Sequence, residues 1–138
     1  MTRTQPHERF SQVLSLDPGA TRAFAHAAGD PNPVHHDAEY ATRFGRLLAS
    51  GPQTTAYLMG LTASHFSKRG AMLGLEFWFR FRRPVYADET ITLEWLVVSV
   101  KHNPRLGGDV IDLRGRIRKE TGETAVGAKG RVLVSQTH

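Results

Sequence analysis

Apolar and polar positions change their rhythm halfway along the chain. From Phe10 to Leu16 the residues allow a short strand. Asp17-Pro18 then offers an N-cap and a first-turn proline, and Ala20, Ala23, Phe24 and Ala27 recur at helical spacing up to the stop at Gly29. Residues 30 to 37 hold two prolines, and each biases its predecessor away from helix, so a loop is expected there. A brief helical piece follows over Ala38 to Phe44. The main helix is expected from Pro52 to about Phe66, with Ala56, Met59, Ala63 and Phe66 as its apolar stripe, widened by Leu58 and Leu61. Gly60 in its middle predicts close packing against a sheet.

The second half alternates with a period of two. Leu73, Leu75, Phe77, Phe79 and Phe81 make one face of a strand; Gly74, Glu76, Trp78, Arg80 and Arg82 make the other. Pro84 ends it. Further strands are expected over Thr90 to Val100, over Val110 to Lys119, and from Thr121-Gly122-Glu123 to about Val134, as an antiparallel meander. One long helix and five antiparallel strands define an α+β domain. A single helix covers one sheet face, so Trp78 and Trp95, taken as outward-facing, predict burial against a second subunit: a homodimer or higher homo-oligomer.

With 138 residues the chain is expected to be a single domain over residues 1–138. It has no cysteine, which excludes disulfides, thiolate nucleophiles and Cys-ligated metals. No apolar run approaches the ~20 residues of a membrane span, and the polar N-terminus lacks a secretory apolar stretch, so a cytoplasmic, membrane-free protein is expected. A net charge of +5 and a pI near 10.1 suit an anionic partner. No aromatic-basic pattern of an RNA-binding sheet and no helix-turn-helix pattern is present, so nucleic acid is not the expected partner.

The chemistry-bearing residues gather in Gly29-Asp30-Pro31-Asn32-Pro33-Val34-His35, with Asp37 two positions on. A carboxylate and an imidazole on one proline-stiffened loop are able to hold a water between them and share its proton traffic. Taken singly, Asp30 also reads as a turn cap and His35 as a packing residue. His35-His36-Asp37 makes a poor metal cluster, because adjacent side chains seldom converge on one ion. Ser64-His65 makes a poor hydrolase pair, because helix neighbours do not face each other.

Residues 29–37 resemble the signature loop of the MaoC-like family, which includes R-specific enoyl-CoA hydratases. Phe44-Gly45-Arg46-Leu47-Leu48-Ala49-Ser50-Gly51 resembles its second segment, and Phe81-Arg82-Arg83-Pro84-Val85-Tyr86-Ala87-Asp88-Glu89 its strand-Pro-Val-turn segment. The resemblance covers roughly residues 10 to 134. It implies a hot-dog fold, a five-stranded antiparallel sheet wrapped around the long helix. It further implies that Asp30 and His35 are the catalytic pair, that the Gly51 N–H polarises a thioester carbonyl, and that Asn32 supports the loop. The implied reaction is hydration of an enoyl thioester to a 3-hydroxyacyl thioester, or its reverse. The carrier is coenzyme A or an acyl carrier protein, and no metal or separate cofactor takes part. A hot-dog thioesterase and a non-catalytic acyl-CoA-binding module remain as alternatives. Two positions beside the implied thioester carbonyl depart from the hydratase pattern: Ser50, a candidate substrate contact, stands where histidine is frequent, and Pro52-Gln53 where bulky apolar residues are usual. Arg80, Arg82 and Arg83 form one basic cluster and Arg114, Arg116 and Arg118 a second. Each is a solvated sheet face or a landing place for coenzyme A phosphates.

Overall fold

The computed structural model describes residues 3–135. Strand β1 (Arg9–Ser15) leads into helix α1 (Pro18–Ala27). A single 3₁₀ turn at Pro33–His35, a short helix α2 (Ala38–Ala41) and a 3₁₀ turn at Thr42–Phe44 follow. The long helix α3 (Gly51–Phe66) precedes β2 (Ala71–Phe81), β3 (Thr90–Asn103), β4 (Gly108–Arg118) and β5 (Thr124–Ser135). Only β3, β4 and β5 form the expected meander, because β2 pairs with β5 and the chain crosses from it to β3 beside β1. All five strands form one sheet in the order β1-β3-β4-β5-β2, and every pairing is antiparallel. Leu58, Leu61 and Phe66 of α3 pack into a core with Ile91, Leu93, Trp95, Val97 and the inward residues of β4 and β5. This is the hot-dog arrangement the resemblance implies.

The helix boundaries follow from local chemistry. Asp17 accepts the Gly19 N–H at 3.2 Å and Pro18 opens α1. Ser50 caps α3 by accepting the Gln53 N–H at 3.2 Å, so the helix begins at Gly51 rather than at Pro52. Its core-facing side differs from the expected stripe. Met59 and Ala63 are exposed, whereas Gln53, Thr54, Thr55 and Thr62 are buried beside Leu58, Leu61 and Phe66. The threonine hydroxyls donate to the Gly51, Pro52 and Met59 carbonyls one turn back, which removes the cost of burying them. Gly60 is exposed with nothing within 4 Å of a Cβ position, so it makes no close approach to the sheet. In α1 the buried residues are Thr21 and Ala25, not the expected alanine stripe. Thr21 faces inward because its hydroxyl donates to Gln53 Oε1 at 3.0 Å.

Two strand expectations change as well. A bulge at Leu75, where pairing passes from Gly74↔Val132 to Glu76↔Arg131, switches the parity of β2. Met72 packs inward before it and Phe77 and Phe79 after it, while Leu73 and Leu75 are exposed. Trp95 is not outward-facing. It shares the parity of Ile91, Leu93 and Val97, is 2% exposed, and donates its indole N–H to the Leu58 carbonyl at 2.9 Å. Its ring lies over Gly115, whose missing side chain provides the space. Trp78, 52% exposed, does face outward. No helix among the described residues is long and apolar enough to cross a membrane.

Candidate active site

Gly29, at φ +71°, reverses the chain at the end of α1, and the next N–H, of Asp30, bonds back to the Ala25 carbonyl at 2.8 Å. That contact fixes where the Asp30 side chain begins. Asp30 Oδ1 then accepts the Asn32 N–H at 2.9 Å, an Asx turn, and Asn32 Oδ1 accepts from the Val34 N–H to start the 3₁₀ turn. Asn32 thus caps the 3₁₀ turn with its own side chain. The turn delivers His35, 8% exposed, so that its Nε2 lies 3.5 Å from Asp30 Oδ2.

The opposite edge of the imidazole is held. Nδ1 lies 2.8 Å from the Leu48 carbonyl, which only accepts, so Nδ1 carries the hydrogen. In the neutral ring, Nε2 then presents a lone pair toward a carboxylate. Two acceptors facing each other are matched by a water, which has a hydrogen for each. The backbone repeats the tie, since the Leu48 N–H donates to the Val34 carbonyl at 2.9 Å. Residues 34–35 are thereby fastened to the segment that reaches Gly51 three positions later.

His36 and Asp37 take separate structural tasks. His36 Nε2 donates to the Asp30 carbonyl at 2.7 Å, and Asp37 accepts the Glu39 and Tyr40 N–H groups to cap α2. The anchoring role of His36 and the Leu48 carbonyl went unread in the sequence. A backbone acceptor has no residue signature, and an adjacent pair of histidines does not reveal which one turns inward.

At the start of α3, the N–H groups of Gln53 and Thr54 are taken by Ser50 and Pro52 has none. The Gly51 N–H has no acceptor among the described residues, and it sits at the positive end of the helix. Ser50, 1% exposed, serves as the helix cap. A cleft of about 290 Å³ opens at Gly51, walled by Thr54, Phe81, Arg82, Arg83 and Val126 among others. Asp30 and His35 are not among its walls. The Phe81 ring lies against Gly51 so closely that a Cβ there would come within 2.9 Å of it. Next to the cap, buried Gln53 accepts from Thr21 and donates to the Tyr57 hydroxyl at 3.1 Å. That chain is what this sequence has where hydratases carry apolar bulk, and it braces α1 against α3.

The basic clusters divide. Arg82 and Arg83 stand at the cleft and Arg80 beside them, with Arg83 paired to Glu123 at 2.7 Å. Arg116 and Arg118 both pair with Glu94, so the second cluster is largely occupied, and only Arg114 lacks an acidic partner among the described residues.

Residues 2–110 match the MaoC like domain. The chain is 34% identical over 115 residues to a UPF0336 protein of Streptomyces avermitilis, covering 78% of this chain and 75% of the relative. The R-hydratase PhaJ1 from Pseudomonas aeruginosa, in its unliganded form, superposes with a TM-score of 0.84 at 23% identity, covering 96% of this chain and 83% of that one. An (R)-hydratase from A. caviae involved in PHA biosynthesis gives 0.86 at 21% identity, covering 97% and 99%. The structural likeness speaks for the fold and the sequence match for the family: this chain belongs to the MaoC-like domain family.

Proposed function

We propose that the chain is a hydratase or dehydratase of acyl thioesters, interconverting a 2-enoyl and a 3-hydroxyacyl thioester. The observation that carries this is the Asp30–His35 pair. His35 Nε2 and Asp30 Oδ2 face each other at 3.5 Å, and the ring is held by the Leu48 carbonyl. A water between them gives its oxygen to C3 of the enoyl group and one hydrogen to the pair. A proton from the pair then reaches C2, so that water is added in full. As the C–O bond forms, negative charge moves to the thioester oxygen. The free Gly51 N–H, at a helix N-terminus, is the donor for it, and such donors are worth roughly 3 to 4 kcal/mol. Arg82 and Arg83, at the mouth of the cleft, receive the phosphates of coenzyme A or of a carrier's prosthetic arm. The chemistry requires no metal, flavin or nicotinamide.

The R-hydratase likeness supports this reading. Homodimer formation is proposed with it: β2 is an unpaired sheet edge carrying exposed Leu73, Leu75 and Phe81. The test is a panel of 2-enoyl thioesters of different chain lengths, on coenzyme A and on a carrier protein. Loss of the conjugated double bond without thiol release supports the proposal. Thiol release from saturated acyl thioesters means hydrolysis instead. Tight binding without turnover, unchanged in Asp30→Asn, means a binding module.

A further inference from the structure

The outer face of the sheet, turned away from α3, carries a row in strict register across all five strands: Arg9, Leu96, Arg114, Lys129 and Trp78. The next row toward the cleft holds Glu94, Arg116, Gly127 and Arg80. The acidic residues of this face are all taken. Glu94 holds Arg116 and Arg118, while Asp112 and Glu76 both hold Arg131. Arg9, Arg80 and Arg114 have no acidic partner among the described residues, and Lys129 sits 5.4 Å over the Trp78 ring. A hollow of about 470 Å³ lies on the row, with Trp78, Val98, Arg114 and Lys129 in its walls; Val98 is pushed outward by the bulge in β3 and is 45% exposed.

We propose that this face docks an acidic carrier protein that brings the acyl group to the Gly51 cleft as a thioester. The inference rests on the hydratase reading, in which Gly51 at that cleft takes the thioester oxygen. An exposed tryptophan and valine amid uncompensated arginine and lysine combine an anchor with a charged rim, the composition of a protein interface. Five strands at ~4.8 Å spacing make the row roughly 19 Å wide, far more than the phosphates of a coenzyme need. The surface is also continuous with the cleft: Trp78 and Arg80 follow one another on one side of β2 and Arg82 comes just past its end, roughly 13 Å in all. A partner seated on the row thus holds its prosthetic arm near Arg82. A second copy of this chain fits poorly, because a two-fold contact would set the same uncompensated cations against each other. A single tryptophan, with one ring face under Lys129, offers no succession of platforms for single-stranded nucleic acid.

The experiment compares kcat/KM for one 2-enoyl group on a holo acyl carrier protein of net negative charge and on coenzyme A. It uses wild type, Arg114→Glu/Lys129→Glu and Trp78→Ala, each with an unchanged Tm. The charge-reversed variant is expected to lose about tenfold or more on the carrier thioester, with a weakened salt dependence, and to keep its rate on coenzyme A. Equal losses on both substrates, or none on either, overturn the docking surface and leave the hydratase reading intact. Should wild type turn over neither thioester, that reading fails, and direct titration with the carrier protein decides the surface alone. Binding lost on charge reversal supports it. Binding to DNA or anionic vesicles but not to the carrier overturns it.

Discussion

Asp30 and His35 have different claims on their surroundings, and their substitutions should differ accordingly. Asp30→Asn keeps an oxygen for the Asn32 N–H, so the loop persists while the carboxylate facing Nε2 is lost. Its hydration rate is expected to fall about 10²-fold or more, with Tm nearly unchanged. His35→Ala removes the same chemistry together with the tether to Leu48, so both rate and Tm should drop. Gly29→Ala tests the approach to the site. Nothing crowds the added methyl, but φ +71° costs a non-glycine residue about 1 kcal/mol, measurable by urea unfolding. That Asp30 and His35 come together on one stiff loop was legible in side-chain type and spacing, whereas Gly51 was reached only through the resemblance of its segment to the MaoC-like pattern. The Leu48 carbonyl was not, because every residue has one.

Elements were legible wherever burial and apolarity coincide, as in β3 and β4. In α3 they part company: threonines bonded to their own helix occupy the core side, and Met59 and Ala63 of the expected stripe face outward. The misplaced Trp95 and the bulge at Leu75 have a similar origin, since a parity read within one strand knows nothing of the space left by Gly115 on the next or of an unpaired extra residue. Gly115→Ala is therefore expected to destabilise by about 1–3 kcal/mol in denaturant unfolding. The new Cβ would fall 2.4 Å from a tryptophan ring with no room to move. Between β3 and the preceding turn, Glu89 is 3% exposed. Burial alone would raise its pKa, but Lys119 at 2.7 Å and the Tyr86 and Glu120 N–H groups outweigh it and hold the carboxyl below its ordinary value of 4.5. A carboxylate lowered on folding stabilises above its unfolded value and loses that contribution as pH falls through the folded one. Glu89→Gln should therefore flatten the decline of Tm below about pH 4.5, where the wild-type chain loses this ion pair.

For the molecule as a whole, composition points to an anionic partner but to no place for one, because charge in a sequence has no direction. Only the strand register shows that Glu94, Asp112 and Glu76 consume some arginines and leave others in a row. The unpaired β2 edge leads to an oligomer prediction: Leu73→Lys/Leu75→Lys should shift sedimentation toward the monomer if that edge joins two copies. The contrasting sites of the chain's only two tryptophans also give the protein two built-in optical reporters. Trp95, sealed in the core, should emit in the blue and be insensitive to acrylamide until the chain unfolds; Trp78, half bare, should emit to the red and be quenched at once. Each Trp→Phe variant isolates one signal. Integrity of the core and occupancy of the outer face thus become separately visible in one cuvette, without a label.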